Sequence, residues 1–287
     1  MTARPNLPGA RHHEVTVDEV TFHVAEVGQG PALVLVHGWP QHWWCWRRVA
    51  PLLADTHRLY MVDLRGHGWS DAPADGYDKE QLATDVLGVM DQLGLDEVGL
   101  IGHDWGGWIG FLAALRAPTR ITGLLALGIV PPFQRPDLRK ALAAWRGAYQ
   151  VLLSTPVLAE AMLRASPRLV ETAIRSSSTV ADAFDPDDLR SYGEVLQEPA
   201  RARASSSLYR TFLLHELPRL GRYRSQRLSV PTRLVVGEHD PVARPPFLGD
   251  WMDHADDMRV DVVPGVGHFV PEEAPQLVAE IAREHFG

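Results

Sequence analysis

The sequence feature that most constrains the fold is a glycine-flanked turn at Asp104, in the run Leu100-Ile101-Gly102-His103-Asp104-Trp105-Gly106-Gly107. An apolar run from Val98 to Ile101 precedes it, and a run with helical spacing, Trp108 to Leu115, follows it. Small residues on both sides of the apex let the backbone turn sharply from a strand into a helix, which exposes the apical side chain above the sheet. Most such turns carry Ser at the apex, whereas this one carries an acid. Asp is also a common helix N-cap, so the interpretation needs support from the rest of the chain.

Buried strands alternate with amphipathic helices along most of the sequence. An antiparallel hairpin is predicted first, over His13 to Val17 and Val20 to Val27. The further predicted strands are Ala32 to Val36, Leu59 to Val62, Val98 to Ile101, Ile121 to Val130, Thr232 to Val236 and Met258 to Val263. Helical spacing recurs between them at Trp44 to Leu53 and Lys79 to Leu93, and at the end at Ala274 to Phe286. This alternation predicts an α/β fold with a mostly parallel sheet and helices on both faces.

The alternation stops in the middle of the chain, at Pro131-Pro132. From residue 133 to about residue 222 the buried-strand runs are missing, and the pattern is that of helices interrupted by prolines. We therefore predict a core α/β domain over residues 1–132 and 223–287, with an inserted helical cap over residues 133–222. Both parts of the core domain are needed to complete one hydrophobic core.

Composition excludes several classes of function. The chain has 287 residues and a net charge of −8, which argues against nucleic acid as a partner because that partner requires a basic face. Cys45 is the single cysteine, so no internal disulfide can form. No apolar run approaches the roughly 18 residues that span a bilayer, and Met1 to Glu14 has no apolar stretch typical of a secretory signal. We expect no membrane partner and a cytoplasmic location.

Polar side chains follow several of the predicted parallel strands. Asp104 follows one strand, Glu238 and Asp240 follow another, and His268 follows the last. Open α/β sheets bind their ligands at the carboxyl ends of the strands, and the order nucleophile, acid, base is that of hydrolases with a nucleophile elbow. Asp240 is the favoured acid, with Glu238 as its local alternative. The strand that ends near Val130 carries no acid.

With these residues the chain resembles the epoxide hydrolases of the α/β-hydrolase fold, and the related haloalkane dehalogenases, in which the elbow residue is Asp. The matching segments are His37-Gly38-Trp39-Pro40, Asp63 to Ser70, Gly102 to Gly107, Asp240 and Gly267-His268. The resemblance implies the α/β-hydrolase fold with a helical cap and a small-molecule epoxide as substrate. It implies no metal and no cofactor, and it leaves a homodimer open.

The resemblance also implies a role for each residue of the site. Asp104 attacks an sp³ carbon to form an ester, and His268, oriented by Asp240, activates the water that hydrolyses it. The backbone N–H groups of Trp39 and Trp105 form the oxyanion hole. The Trp39–Pro40 peptide is expected to be cis. The side chains expected at the substrate pocket are His37, Pro40 and His103.

An epoxide oxygen needs a proton donor as its ring opens, and similar enzymes supply two tyrosines from the cap. Tyr149, followed by Gln150, resembles the first of these tyrosines. Tyr209, followed by Arg210, resembles the second. The other cap tyrosines, Tyr192 and Tyr223, are expected to be structural.

Two other functions compete with epoxide hydrolysis. Dehalogenation is favoured by Trp105, which matches a halide-binding indole, and Trp145 could supply a second indole. Against it, Trp39 stands where many haloalkane dehalogenases carry Asn, and fluoroacetate-type dehalogenases usually have Arg in place of Trp105. A non-catalytic ligand-binding protein would show a damaged triad, whereas Asp104, Asp240 and His268 are all present.

Overall fold

The computed structural model describes residues 3–134, 148–249 and 251–287. The strands are β1 (Arg11–Val17), β2 (Val20–Gly28), β3 (Ala32–Val36), β4 (Arg58–Val62), β5 (Val98–His103), β6 (Ile121–Leu127), β7 (Thr232–Gly237) and β8 (Met258–Val263). Over the described residues they form one sheet in the order β1-β2-β4-β3-β5-β6-β7-β8. The pairs β1–β2 and β2–β4 are antiparallel and the remaining neighbours are parallel. The predicted mostly parallel sheet is confirmed.

The sheet and the helices before β6 and after β8 are called the sheet domain below. Its helices are α1 (Ala50–Leu53), α2 (Lys79–Gln92) and α3 (Trp105–Arg116), followed near the end of the chain by α9 (Val270–Glu273) and α10 (Pro275–Phe286). Helix α2 begins after Asp78, whose side chain accepts a hydrogen bond from the backbone N–H of Gln81. Its buried positions recur at helical spacing, so one face packs on the sheet. None of the helices in the described ranges has the length and apolarity to cross a bilayer.

Between β6 and β7 the described residues form helices and no strand, and this part of the chain is called the helical segment below. These are α4 (Ala148–Leu153), α5 (Pro156–Ala165), α6 (Arg168–Ser177), α7 (Pro186–Val195) and α8 (Pro199–Thr211), then a π-helical segment Phe212–Glu216 and a 3₁₀ segment Leu217–Ser225. Three prolines that suggested helix breaks, Pro156, Pro186 and Pro199, are each the first residue of a helix. Proline suits that position because the N–H it lacks would have no partner in the helix. The division of the chain at residues 132 and 222 stays a prediction.

Two predicted elements differ in extent from those observed. The strand predicted to reach Val130 ends at Leu127, because Gly128 adopts φ +59° and turns the chain out of the sheet. The helix predicted over Trp44 to Leu53 is split into a 3₁₀ turn, Trp43–Trp46, and the short α1. The backbone N–H of Trp43 donates to the buried carboxylate of Asp63, which fixes the start of this turn.

Strands β3 and β5 lie in the centre of the sheet and are buried on both faces. Continuous apolar runs predict such strands, because both faces must be covered by helices. At the antiparallel edge, the hairpin between β1 and β2 turns through Asp18 and Glu19, which have φ +44° and +67°. This geometry is that of the tight turns that match the twist of a two-stranded hairpin. The sheet thus holds the ends of β3 and β5 side by side.

Candidate active site

The backbone at Asp104 makes an unusually tight connection between β5 and α3. Asp104 has φ +51° and ψ −122°, a conformation that residues with a Cβ rarely adopt. The flanking chain can approach only because it lacks side chains. A Cβ at Gly106 would lie 2.0 Å from the carbonyl oxygen of Val36, and one at Gly38 would lie 2.4 Å from Oδ2 of Asp104. The glycine pattern of the sequence therefore reflects the close contact of β3 and α3 at this turn.

The Asp104 carboxylate lies against backbone N–H groups. The N–H of Trp39 donates to Oδ2 over 3.0 Å, and the N–H of Trp105, the next residue in the chain, acts with it to lower the pKa of this carboxylate. The Trp39–Pro40 peptide is cis, as predicted. Of the two donors predicted for the oxyanion hole, Trp39 is hydrogen-bonded to Asp104 and Trp105 follows Asp104 in the chain. The oxyanion hole itself stays a prediction.

His268 lies between two carboxylates. Its Nδ1 is 3.0 Å from Oδ2 of Asp240, and its Nε2 is 3.7 Å from Oδ1 of Asp104. The other oxygen of Asp240 accepts from the backbone N–H groups of Val242, at 2.6 Å, and Ala243, at 3.0 Å. The structure therefore brings together the three residues that the chain order suggested.

The alternative acid, Glu238, lies elsewhere. Its Oε2 accepts a hydrogen bond from the backbone N–H of Gly265 over 3.0 Å, and its side chain is half exposed. Asp240 is instead fully buried and bonded to the imidazole of His268. Of the two acids considered, Asp240 is the one that contacts His268.

Burial and charge set the protonation of this cluster. Burial raises the pKa of Asp104 to about 6, although the His268 charge and the two backbone N–H groups oppose the rise. Burial alone would lower the pKa of His268, but attraction and hydrogen bonding to Asp240, with the Asp104 charge, raise it to about 9. Burial would raise the pKa of Asp240, but its bonds to His268 and to two backbone N–H groups hold it below the usual value. At neutral pH the cluster is an imidazolium between two carboxylates.

The loop that carries His268 is anchored to the helical segment. The backbone N–H of His268 donates to the carbonyl oxygen of Ser177, at the end of α6, over 2.8 Å. Oε2 of the buried Glu273 accepts from the backbone N–H groups of Gly267, at 3.0 Å, and Thr179, at 2.8 Å. Glu273 thus joins the two segments. Sequence reasoning missed it, because an acid in a short helix carries no signal of a partner almost a hundred residues away.

Two side chains predicted at the substrate pocket are instead buried and hydrogen-bonded to backbone groups near the site. His37 and His103 have no exposed surface, whereas Asp104 and His268 keep 7% and 6%. Nε2 of His37 accepts from the backbone N–H of Leu64, and Nε2 of His103 donates to the carbonyl oxygen of His268 over 2.9 Å. The expectation that these two imidazoles line the pocket is therefore corrected, because both are occupied in fixing backbone. Pro40 is also buried, and its place at the pocket stays a prediction.

Tyr209 lies beside the oxyanion residues. It is buried on α8, and its ring packs edge-on against Trp39, with centroids 5.5 Å apart, and against Trp105, at 5.8 Å. Tyr149 belongs to α4, and its side chain lies outside the described residues, as does Trp145.

The two tyrosines expected to be structural are bonded to buried or partly buried acids. The hydroxyl of Tyr192 donates to Oε1 of Glu272 over 2.7 Å. The hydroxyl of Tyr223 donates to Oε1 of Glu80, also over 2.7 Å. Neither contact involves Asp104, Asp240 or His268.

Comparison with known proteins gives consistent matches. Residues 31–275 match the α/β-hydrolase fold family. A soluble epoxide hydrolase from Corynebacterium sp. (strain C12) is 32% identical, over 96% of each chain. A fluoroacetate dehalogenase from Burkholderia sp. is also 32% identical, over 96% of this chain and 93% of the relative. Among solved structures, the epoxide hydrolase CorEH without ligand matches with a TM-score of 0.84 and 31% identity, over 96% of this chain and 98% of that chain.

The backbone strain at Asp104 can be measured with two substitutions that both remove the carboxylate. Asp104→Ala keeps the Cβ that is strained at φ +51°, and Asp104→Gly removes it. Such strain costs about 1–3 kcal/mol, and glycine loses about 0.5–1 kcal/mol through its more flexible unfolded state. We expect Asp104→Gly to be more stable than Asp104→Ala by about 1 kcal/mol in urea denaturation. A glycine variant less stable than the alanine variant would contradict the strain.

Proposed function

This chain belongs to the α/β-hydrolase fold family, and we propose that it is an epoxide hydrolase that forms a vicinal diol through a covalent ester on Asp104. The observation that carries the proposal is the position of Tyr209, whose ring contacts both Trp39, which donates its N–H to Asp104, and Trp105, which follows Asp104 in the chain. A phenol there can protonate an oxygen leaving the carbon that Asp104 attacks. The similarity to the soluble epoxide hydrolase from Corynebacterium supports this assignment.

In the first step, Oδ1 of Asp104 attacks an epoxide carbon while that carbon loses its bond to the ring oxygen. Oδ1 is the oxygen that faces His268, while Oδ2 accepts from the N–H of Trp39. The ring oxygen leaves as a developing alkoxide and takes a proton from Tyr209, with Tyr149 proposed as the second donor. The products of this step are a hydroxyalkyl ester and a tyrosinate.

Formation of the ester changes the charge around His268. The Asp104 charge is one of the attractions that hold the His268 pKa high, and an ester carries no charge. The imidazolium can therefore lose its proton to solvent more readily once the substrate is attached, and it becomes a base. Asp240 remains hydrogen-bonded to Nδ1, so Nε2 is the nitrogen available to water.

In the second step, Nε2 of His268 takes a proton from water as the water oxygen bonds to the carboxyl carbon of Asp104. The negative oxygen of the tetrahedral intermediate remains near the N–H groups of Trp39 and Trp105. Collapse expels the diol oxygen, which takes a proton from His268. Ester hydrolysis regenerates the Asp104 carboxylate and releases one proton, which restores the phenol of the tyrosine. The imidazole of His268 then regains from solvent the proton that it lost before hydrolysis.

Dehalogenation is the second candidate, because one observation favours it. The indole N–H of Trp105 is buried and has no hydrogen-bond partner among the described residues. A weak donor of this kind suits a departing halide. The indole N–H of Trp39, in contrast, donates to Oγ of Ser205. The same Asp104 ester would form, and the two functions differ in the leaving group.

Substitution of His268 should trap the ester. We expect His268→Gln incubated with styrene oxide to gain the mass of one substrate, located on the peptide that contains Asp104. Its hydrolysis should be slower by at least about 10²-fold, because the general base is missing. Intact-protein and peptide mass spectrometry measure both results. The matched variant His268→Gln/Asp104→Asn should gain no mass, and a folded His268→Gln that binds substrate without an adduct would contradict the covalent mechanism.

Tyr209 separates the two candidate functions. We expect Tyr209→Phe to slow ester formation from styrene oxide by about 10²-fold through loss of a proton donor, with little effect on ester formation from a bromoalkane. Rapid-quench mass spectrometry measures each rate, and product assays compare diol with released bromide. Tyr223→Phe is the matched control, since its hydroxyl bonds to Glu80. Bromide release by the wild-type protein without any diol from epoxides would favour dehalogenation.

The pH dependence of ester formation should follow Asp104, because only the carboxylate is a nucleophile. Its pKa of about 6 predicts a rate that is constant above that pH and falls about tenfold per pH unit below it. In His268→Gln the inflection should move to higher pH, because the His268 charge that lowers the pKa of Asp104 is lost. Single-turnover rates between about pH 5 and 8 measure both profiles. A rate that is constant over this range would contradict the assignment.

A further inference from the structure

A charged side chain is buried at the boundary between the sheet domain and the helical segment. Lys79 is the first residue of α2 and has no exposed surface. Its Nζ donates to the carbonyl oxygen of Leu208 over 2.8 Å and to Oε2 of Glu216 over 2.9 Å. The backbone N–H of Lys79 donates to the other oxygen of Glu216 over 2.8 Å. Burying this pair is costly unless all its groups are bonded, and here each named group has a partner.

Both partners of Lys79 lie on the segment that carries Tyr209. Leu208 is the residue before Tyr209 in α8. Glu216 is the last residue of the π-helical segment that continues α8. The lysine therefore holds the chain on both sides of Tyr209 and connects it to a helix of the sheet domain.

The same ammonium group packs on the residue next to the nucleophile. Nζ of Lys79 lies 4.5 Å from the ring centroid of Trp105 and 5.3 Å from that of Phe212. The rings of Trp105 and Phe212 are edge-on, with centroids 4.8 Å apart. A cation over an aromatic face is attractive, and more so when it is shielded from water. Lys79 thus contacts the elbow on one side and the Tyr209 segment on the other.

The charges that face Lys79 are consistent with this arrangement. Burial lowers the pKa of Lys79, while Glu216, Asp78 and Asp104 act to raise it. Two of these acids, Asp78 and Asp104, belong to the sheet domain, and Glu216 belongs to the helical segment. An ammonium group at this point is attracted to both parts.

We propose that Lys79 is a positioning residue for epoxide opening, which holds Tyr209 at a fixed distance from Asp104 through Leu208, Glu216 and Trp105. The proposal rests on the proposed function, because the distance matters only if Tyr209 protonates the leaving oxygen. A small displacement of a reacting group can cost a large factor in rate even when the substrate still binds. Lys79 therefore acts on the rate of ester formation and not on substrate affinity.

The contacts of Lys79 with Leu208, Glu216 and Trp105 are called the clamp below, and the main test uses a double variant that removes them without leaving a buried charge. Lys79→Met keeps the length of the side chain, and Lys79→Met/Glu216→Gln also neutralises Glu216, which protects the fold. We expect the double variant to form the styrene oxide ester about 10- to 30-fold more slowly at saturation, with unchanged substrate affinity. In a Tyr209→Phe background the same change should cost less than about threefold, because the tyrosine it positions is gone. Equal slowing in both backgrounds would overturn the proposal.

The matched control is Arg201→Met, which acts on the same helix at a distance from Tyr209. The guanidinium of Arg201 donates to the carbonyl oxygens of Gly68 and Ser70, so it too connects α8 to the sheet domain. We expect this variant to change stability, and to change the rate by the same factor with and without Tyr209. A dependence on Tyr209 as strong as that of Lys79 would contradict a specific role for the lysine.

Hydrogen–deuterium exchange tests the clamp independently of the substrate. In Lys79→Met/Glu216→Gln, the amides of residues 208–216 should exchange at least about fivefold faster than in the wild type, whereas Arg201→Met should leave this segment unchanged. Unchanged exchange in the clamp variant would overturn the proposal whichever substrate the enzyme takes. Failure of the wild-type protein to open any epoxide would instead contradict the proposed function, and exchange would still decide whether Lys79 holds the segment.

Discussion

The site depends on how closely the backbone of β3 approaches the turn between β5 and α3. The carbonyl oxygen of Val36 occupies the space that a side chain at residue 106 would need, and the N–H of Trp39 reaches Oδ2 of Asp104. A free loop would not remain in this strained conformation, but this turn is fixed on both sides. The N–H of Asp104 donates to the carbonyl oxygen of Leu127 in β6, and its own carbonyl oxygen accepts the first hydrogen bonds of α3. The parallel sheet therefore maintains a backbone strain that directs the carboxylate of Asp104 toward His268.

The two aspartates beside the imidazole of His268 differ in their hydrogen bonds and therefore in their pKa values. Oxygen atoms of Asp240 accept from Nδ1 of His268 and from two backbone N–H groups, which keeps its pKa low. Oδ1 of Asp104 is 3.7 Å from His268, too far for a hydrogen bond, and burial dominates its pKa. The low pKa of Asp240 keeps it charged, while Oδ1 of Asp104 accepts no hydrogen bond from the described part of the chain. A carboxylate with such an oxygen is the better nucleophile.

Much of the fold follows from the sequence because its signals are local. The predicted bounds of β3 and β8 equal the observed ones, since each strand is one short run with a turn signal at its end. The end of β6 was predicted three residues too late, because a glycine with positive φ is not distinguishable by hydropathy from the apolar residues around it.

The groups around His268 were predictable because they occupy strand ends, which the topology brings to one edge of the sheet. The contacts that hold these groups in place could not be predicted from the sequence. Lys79 and Glu216 are 137 residues apart, and each resembles an ordinary polar residue at a helix end. Likewise, the sequence could not show that the imidazoles of His37 and His103 point into the protein, because that depends on backbone groups of distant loops.

The same sequence identity, 32%, to an epoxide hydrolase and to a fluoroacetate dehalogenase is expected from this arrangement. Attack by a carboxylate on an sp³ carbon, followed by hydrolysis of the ester, requires the same nucleophile, imidazole and N–H donors in both reactions. The same overall identity to both relatives therefore does not distinguish the two reactions. In the proposed mechanism the distinction lies in the group that meets the leaving atom, and for an epoxide that group is Tyr209 of the helical segment. If Tyr209 meets the leaving atom, contacts that fix its segment to the elbow, such as those of Lys79 with Leu208 and Trp105, are expected to act on the step that separates the two reactions.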